Sequence, residues 1–115
     1  MDPNCIFCKI AAKQLPARIA FENERLVAFE DIAPQAPTHL ILVPRQHLAS
    51  TLALEPAHRA LVGELVERAA QLARERGFAN DGYRLVFNTN PAAGQTVFHL
   101  HLHLLGGRRF GWPPG

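Results

Sequence analysis

The spacing of hydrophobic and polar residues along the chain predicts two helices and five strands. Between Pro56 and Arg76 apolar residues recur with the 3.6-residue period of an amphipathic helix, and Gly77 ends the pattern. A shorter helix is predicted over Cys5–Ala12, with Asn4 as its cap. Short β-type runs bounded by turn residues predict strands over Arg18–Glu22, Leu26–Glu30, His39–Val43, Tyr83–Asn88 and Phe98–Leu105.

The order of these elements predicts an α+β fold. One helix, three strands, a long helix and two strands follow each other with short connections, one of them a hairpin turn at Asn23–Arg25. Such connections favour an antiparallel sheet of about five strands with the helices on one face. At 115 residues the chain has the length of one domain, and we expect a single domain over residues 1–115.

Charge and hydropathy argue against two classes of partner. Lys plus Arg is 12 and Asp plus Glu is 10, so the formal net charge of +2 does not indicate a nucleic-acid-binding surface. The longest strongly apolar run, His39–Val43, is far too short to cross a bilayer. Met1–Asn4 has neither the basic start nor the apolar segment of a signal peptide. We therefore expect a cytoplasmic protein without nucleic-acid or membrane partners.

The last predicted strand carries three histidines at alternate positions. His99, His101 and His103 should share one face of this strand, with leucines on the other face. The first and third histidine would be about 13 Å apart along the strand, so one metal ion cannot bind all three. Neutral imidazole is a nucleophile and a proton carrier, and a row of imidazoles suits group transfer at phosphorus. In the preceding loop, Gly94 would allow close approach of the backbone to a phosphate, and Thr96 offers a hydroxyl.

The two cysteines form a C-x-x-C pair near the start of the chain. In a reducing cytoplasm Cys5 and Cys8 are not expected to form a structural disulfide. The pair alone is compatible with half of a zinc site, with redox chemistry or with two buried thiols. The spacing does not decide among these three interpretations.

Several segments resemble the histidine triad (HIT) family, and in particular its HINT branch of nucleotide-binding proteins. His99–Leu105 resembles the signature His-φ-His-φ-His-φ-φ, in which φ is a hydrophobic residue. The resemblance runs from Cys5 to Gly115 and is carried further by Asp31–His39, Pro44–His47, Gly94–Phe98, Gly106–Arg108 and Trp112–Gly115. It implies a HIT-like fold and a hydrolase that converts purine nucleoside 5′-phosphoramidates to a nucleoside monophosphate and an amine.

The resemblance also implies a set of catalytic residues. His101 would be the nucleophile that forms a nucleotidyl-histidine, with its ring held by the backbone carbonyl of His99. His103 would contact the phosphate and assist proton transfer. His39 would support the nucleophile without contacting the substrate itself. Thr96 stands where the family commonly has serine and would lie near the leaving group.

A further set of residues would bind the nucleotide. Asp31 would accept hydrogen bonds from both ribose hydroxyls, and Asn88 would lie near the phosphate. Related dinucleoside polyphosphate hydrolases typically carry glutamine at the position of Asn88, so this residue favours the HINT branch. The purine slot would be lined by Phe7, Ile10, Leu15, Phe29 and Ile32. The other nucleotide-binding residues would be Gly94, Gln95, Thr96, His101 and His103.

Some family members bind a structural zinc ion through residues that this chain also has. They correspond to Cys5, Cys8, His47 and His99, a Cys₂His₂ set, and the resemblance implies no catalytic metal. It also implies a homodimer in which Trp112 lies near the partner's active site. Three alternatives stay open: a dinucleoside polyphosphate hydrolase, a nucleotide-binding regulatory module with incidental hydrolysis, and a zinc hydrolase with an open site at His99 and His101.

Overall fold

A computed structural model describes residues 2–115 of the chain and contains two α-helices and five strands. The elements are α1 (Ile6–Ala11), β1 (Ile19–Glu22), β2 (Leu26–Glu30), β3 (Thr38–Pro44), α2 (Arg59–Glu75), β4 (Tyr83–Val86) and β5 (Leu102–Gly106). The long predicted helix begins with a separate 3₁₀ turn at Pro56–His58 before α2 starts. None of the helices within the described residues combines the length and the hydropathy needed to cross a membrane.

The strands form one antiparallel sheet in the order β1-β2-β3-β5-β4. The hairpin predicted at Asn23–Arg25 joins β1 and β2, where the side-chain oxygen of Asn23 accepts hydrogen bonds from the N–H groups of Arg25 and Leu26. The α+β class, with a five-stranded antiparallel sheet, one long helix and one short helix, is confirmed.

The prediction that both helices lie on one face of the sheet is wrong. Leu65, Ala69 and Leu72 of α2 pack against leucines on one face, whereas Phe7 and Cys8 of α1 belong to a second core on the other face. The reason lies in the strands, because consecutive residues of β2 and β3 are buried without alternation. A sheet that is apolar on both faces needs a cover on both.

The last two strands are shorter than predicted. Strand β4 ends at Val86 instead of Asn88, and β5 begins at Leu102 instead of Phe98. Ahead of β5 the chain leaves the sheet ladder, since the N–H of Leu100 donates to the carbonyl of Leu48, in the loop after β3, at 2.6 Å. His99 and His101 therefore precede the strand, although Leu100 and Leu102 beside them are still buried in the core under α2.

Candidate functional site

The His101 ring is held in one tautomer by the backbone. Its Nδ1–H donates to the carbonyl of His99 at 2.7 Å, which leaves a lone pair on Nε2. Burial lowers the pKa of His101 below its ordinary value, so the ring is neutral at pH 7. The Phe7 ring packs edge-on against it, with ring centroids 5.0 Å apart. A neutral imidazole with a fixed tautomer and a free Nε2 lone pair can act as a nucleophile.

A chain of hydrogen bonds fixes the protons of His39 and His103. The N–H of Gln35 donates to Nδ1 of His39 at 3.1 Å, so the proton of neutral His39 is on Nε2. That Nε2–H donates to Nδ1 of His103 at 2.9 Å, and the proton of His103 is thereby on its own Nε2. Burial lowers the pKa of His103 to about 4 and also lowers the pKa of His39. The result is a neutral N–H donor on the ring next to His101, whose centroid is 5.0 Å away.

Asp31 connects this pair of histidines to a cavity. Its Oδ2 is 3.4 Å from Nε2 of His39, and its Oδ1 accepts a hydrogen bond from the N–H of Ala33 at 2.8 Å. The cavity has a volume of about 640 Å³, within the usual range for small-molecule sites, and its wall includes Asp31, His39 and the fully exposed side chain of Ile32. A carboxylate, an imidazole and an apolar side chain thus face one concave space.

The loop between β4 and β5 is shaped by a buried glutamine. Gln95 accepts a hydrogen bond from the N–H of Asn90 and donates to the carbonyls of Ala49 and Val97, at 2.7, 2.9 and 3.1 Å. Gly94 has a φ of 88°, a left-handed conformation that favours glycine. The predicted nucleotide contact of Gln95 therefore cannot use its amide without breaking these bonds. We infer that the Gln95 side chain positions the loop.

Two thiols and two imidazoles meet beneath α1. Cys5, and not the predicted Asn4, caps the helix. Its Sγ accepts a hydrogen bond from the N–H of Cys8, so both thiols lie on the same side of the first turn. Nδ1 of His99 is 3.2 Å from Sγ of Cys5, 3.5 Å from Sγ of Cys8 and 3.2 Å from Nδ1 of His47. Sγ of Cys8 lies 3.4 Å from the same nitrogen of His47.

This cluster fits a tetrahedral metal ion. Nε2–H of His99 donates to the carbonyl of Pro44 at 2.8 Å, so Nδ1 directs a lone pair towards the thiols. Burial lowers the pKa of His99 to about 4, which keeps the ring in the neutral form that binds metals. With zinc–sulfur bonds of about 2.3 Å and zinc–nitrogen bonds of about 2.0–2.1 Å, tetrahedral geometry places a nitrogen ligand about 3.3–3.6 Å from another nitrogen or a sulfur ligand. The observed separations of 3.2–3.5 Å agree with this geometry.

A second cluster, formed by Asp31, His39 and His103, does not fit a metal ion in this arrangement. The two nitrogen atoms that lie closest together, Nε2 of His39 and Nδ1 of His103, already share a hydrogen bond. Because the N–H of Gln35 occupies Nδ1 of His39, Nε2 carries the proton and cannot bind a metal. The contacts of this cluster favour proton placement over metal binding.

Comparison with known proteins identifies the family. A crystal structure of a HIT family hydrolase from Legionella pneumophila superposes with a TM-score of 0.96 at 49% sequence identity, covering 97% of this chain and all of that one. The family model described as scavenger mRNA decapping enzyme C-terminal binding matches residues 4–109. This chain belongs to the histidine triad family. The relationship indicates a hydrolase.

Two relatives of this HIT protein have informative names. The purine nucleoside phosphoramidase of Escherichia coli is 40% identical over 111 residues, which cover 96% of this chain and 93% of that protein. The 14 kDa zinc-binding protein of Zea mays is 42% identical over 116 residues, with coverage of 99% and 90%.

The structure of this HIT protein separates the predicted purine-slot residues. Ile32 lines the cavity, whereas Phe7 and Phe29 are buried and pack on each other with ring centroids 5.4 Å apart. Ile10 lies at the edge of the same core, and Leu15 is partly exposed. Phe7 and Phe29 thus support the site from the core between α1 and the sheet, and Phe7 does so by direct contact with His101.

Sequence reasoning missed several residues of the cavity wall. The one signal in the sequence is that most of these residues stand close to Leu15 or Asp31, which were predicted to bind the nucleotide. Their meeting in one cavity depends on the register of β1 with β2, which the sequence does not reveal. They are Pro16, Ala17, Arg18, Glu30, Pro34 and Pro37. Asn88 follows β4, and the exposed Thr96 follows Gln95, so both lie on the loop that leads to His99.

Proposed function

We propose that this HIT protein hydrolyses purine nucleoside 5′-phosphoramidates, giving a nucleoside monophosphate and an amine. The observation that carries the proposal is the state of His101, whose Nδ1–H is bound to the carbonyl of His99 while Nε2 keeps its lone pair. The 40% identity to the purine nucleoside phosphoramidase of Escherichia coli supports this substrate class.

The reaction has two displacements at the same phosphorus. Nε2 of His101 attacks the α-phosphorus, an N–P bond forms, and the P–N bond to the leaving amine breaks. Water then attacks the phosphorus and the bond to His101 breaks. The amine takes up one proton in the first step and the water releases one in the second, so protons balance over the cycle. We assign Thr96 as a proton relay: its hydroxyl donates to the leaving amine while it accepts a proton from solvent water, and it passes the proton of the attacking water back to solvent.

The neighbouring groups stabilise charge on the phosphate. His103 would donate its Nε2–H to a phosphate oxygen. The hydrogen bond from His39 to Nδ1 of His103 keeps that proton on Nε2. Asn88 and the Gly94 backbone would complete the phosphate contacts. Such fixed donors act with little reorganisation during the reaction. Asp31 would accept hydrogen bonds from the ribose hydroxyls, and the purine would enter the cavity beside Ile32.

A substrate panel tests the proposal. Nucleoside 5′-phosphoramidates and diadenosine polyphosphates are supplied at equal concentrations, and released nucleotide is measured by chromatography. We expect turnover of the purine phosphoramidates to exceed that of the diadenosine compounds by at least about tenfold. The reverse order would show a dinucleoside polyphosphate hydrolase, and nucleotide binding without turnover of either class would show a binding module.

We further propose that Cys5, Cys8, His47 and His99 hold a structural zinc ion. The donor separations and the lone pair of His99 support this assignment, as does the similarity to a zinc-binding protein of Zea mays. When bound, zinc would tie α1 to the loops after β3 and before β5. Catalysis is assigned to the Nε2 lone pair of His101, which acts as the nucleophile, and the zinc ion would have a structural role.

We also propose a homodimer in the cytoplasm. Trp112 is 86% exposed in the single chain, which makes it available to a partner subunit. In such a dimer Trp112 would lie near the partner's active site. Two buried free thiols are compatible with a reducing compartment.

A further inference from the structure

The pairing of the strands defines a row of residues across the sheet, and several polar residues lie near it at one end. His103 of β5, Ile41 of β3, Phe29 of β2 and Ile19 of β1 are partners across the four strands. His39, Glu30 and Arg18 lie near this row on β3, on β2 and directly before β1. Three strand spacings separate β5 from β1, about 14 Å, which is the scale of an extended nucleotide.

This row fixes the direction in which a bound nucleotide would lie. If phosphate lies at His101 and His103 and ribose at Asp31, as the proposed function requires, the base continues away from β5 towards β1. The cavity wall at that end contains the apolar Ala17 and Pro16 together with the charged Arg18 and Glu30. Apart from Asp31 and His39, which face the ribose and phosphate, these two charged residues are the polar ones along the cavity wall formed by the described residues.

Arg18 and Glu30 lie next to each other, but their contact leaves most of the hydrogen-bonding groups of both side chains unused. The N–H of Glu30 donates to the carbonyl of Arg18 at 3.0 Å, which fixes their backbones. Their side chains approach only to 3.8 Å, through one guanidinium nitrogen and one carboxylate oxygen. The Arg18 side chain is 86% exposed and that of Glu30 is 40% exposed, so both can turn towards a ligand. The guanidinium of Arg18 therefore offers several N–H donors beside the two acceptor oxygens of the Glu30 carboxylate.

We propose that Arg18 and Glu30 read the edge of the base and make the site prefer guanine to adenine; this rests on the proposed function. A carboxylate accepts the adjacent N1–H and N2–H of guanine in parallel, and a guanidinium donates to its O6 and N7. Adenine has no hydrogen on N1 and no 2-amino group, so it offers the carboxylate only N6–H. Guanine therefore makes about twice as many hydrogen bonds to the same two side chains.

The test compares three substrates that differ only in the base. Guanosine, inosine and adenosine 5′-phosphoramidates of the same amine are hydrolysed by the wild type, and kcat/KM is measured for each. We expect guanosine to exceed adenosine by about 5- to 20-fold, mostly through KM, because both side chains are open to water and the base is remote from the reacting bond. Inosine, which lacks the 2-amino group, should fall between them.

A pair of variants assigns the preference to the residues. Glu30→Gln should reduce the guanosine-to-adenosine ratio to within about twofold, because an amide cannot accept two parallel hydrogen bonds. Glu24→Gln, which changes an exposed acid of the β1–β2 turn outside the cavity, should keep the wild-type ratio. A wild-type ratio within twofold of one, or an unchanged ratio in Glu30→Gln, would overturn the proposal.

Binding of the products separates this inference from the proposed function. GMP and AMP are titrated into the wild type and into Glu30→Gln by calorimetry, with no reaction required. If phosphoramidates are not hydrolysed but GMP binds at least about fivefold more tightly than AMP, the proposed function fails and the base preference stands. Equal affinities overturn the base preference, and a protein that binds neither nucleotide overturns both.

Discussion

At the scale of single residues, the chemistry of the site depends on which ring nitrogen carries each proton. The carbonyl of His99 decides this for His101, and the N–H of Gln35 decides it for His39 and, through it, for His103. Backbone groups thus set three neutral tautomers without any protonated histidine. Burial keeps the three rings neutral, since it lowers the pKa of each ring.

Replacement of His101 tests the nucleophile. His101→Ala should lower kcat by at least about a thousandfold, because it removes the group that forms the covalent intermediate, while nucleotide affinity stays within a few-fold. Single-turnover kinetics and mass spectrometry of quenched wild-type enzyme should detect a nucleotide attached to His101. As a control, His58→Ala changes a histidine at the start of α2 outside the site. More than a tenth of the wild-type kcat in His101→Ala would rule out this assignment.

Protonation of His103 should destabilise the fold in acid. The pKa of its folded state, about 4, lies below the ordinary value of 6.5, so the unfolded chain binds more protons between these values. The free energy of unfolding should therefore fall as pH decreases from about 6.5 to about 4. Urea titrations across this range should show a weaker pH dependence for His103→Gln than for the wild type. Equal slopes would contradict the assigned burial effect.

The residue scale also shows what sequence reasoning could reach. Asp31, His39 and His103 were expected at one site from their similarity to the family, and the structure brings them together. Their hydrogen bonds were not predictable, because the contact between residues 39 and 103 depends on the register of β3 with β5. The pair Arg18 and Glu30 was missed for the same reason, since it depends on the register of β1 with β2.

At the scale of elements, the six-residue helix α1 contributes both to the core and to the two candidate sites. It covers one face of the sheet, brings Phe7 against His101 and presents Cys5 and Cys8 to two histidines. The sequence predicted this helix but assigned it to the wrong face of the sheet, because periodicity reveals which residues are apolar and not which face they cover. The burial of both faces of β2 and β3 decides that point.

Removal of both thiols should loosen α1 without removing the catalytic groups. Purified protein should contain close to one zinc ion per chain, measured by elemental analysis, and the double variant Cys5→Ser/Cys8→Ser should contain none. Since the ligands would join α1 to two loops, we expect a loss of at least about 2 kcal/mol, or about 8 °C in Tm. At low temperature most of the activity should remain.

The results of that experiment separate two uses of a metal. Zinc-free wild-type protein prepared without chelators would contradict the structural site. Loss of turnover in a folded, metal-free protein, with circular dichroism unchanged, would instead favour the open-site zinc hydrolase. Lys9→Ala in the same helix serves as the control, because it leaves both thiols in place.

At the scale of the whole molecule, the C-terminal segment is the part whose packing a single chain does not explain. Trp112 is 86% exposed, and Phe110 lies under two guanidinium groups, with the centre of the Arg108 guanidinium 4.3 Å and that of Arg84 5.1 Å from its ring centroid. The exposed indole offers a large apolar surface that a partner subunit could bury. The edge strand β4 lies close by, since Arg84 donates to the carbonyl of Gly111 at 2.9 Å.

These features predict a homodimer whose tails contribute to leaving-group selection. Light scattering at micromolar concentration should give twice the chain mass of 12.7 kDa, and a mass near 12.7 kDa would refute the dimer. Deletion of Trp112–Gly115 should change the ratio of kcat/KM between small and bulky amines by about fivefold or more. It should leave the choice between purines nearly unaltered, because the base would lie at Arg18 and Glu30. The purine ratio serves as an internal control, so an unchanged amine ratio in a dimeric truncated protein would show that Trp112 has no place at the partner's site.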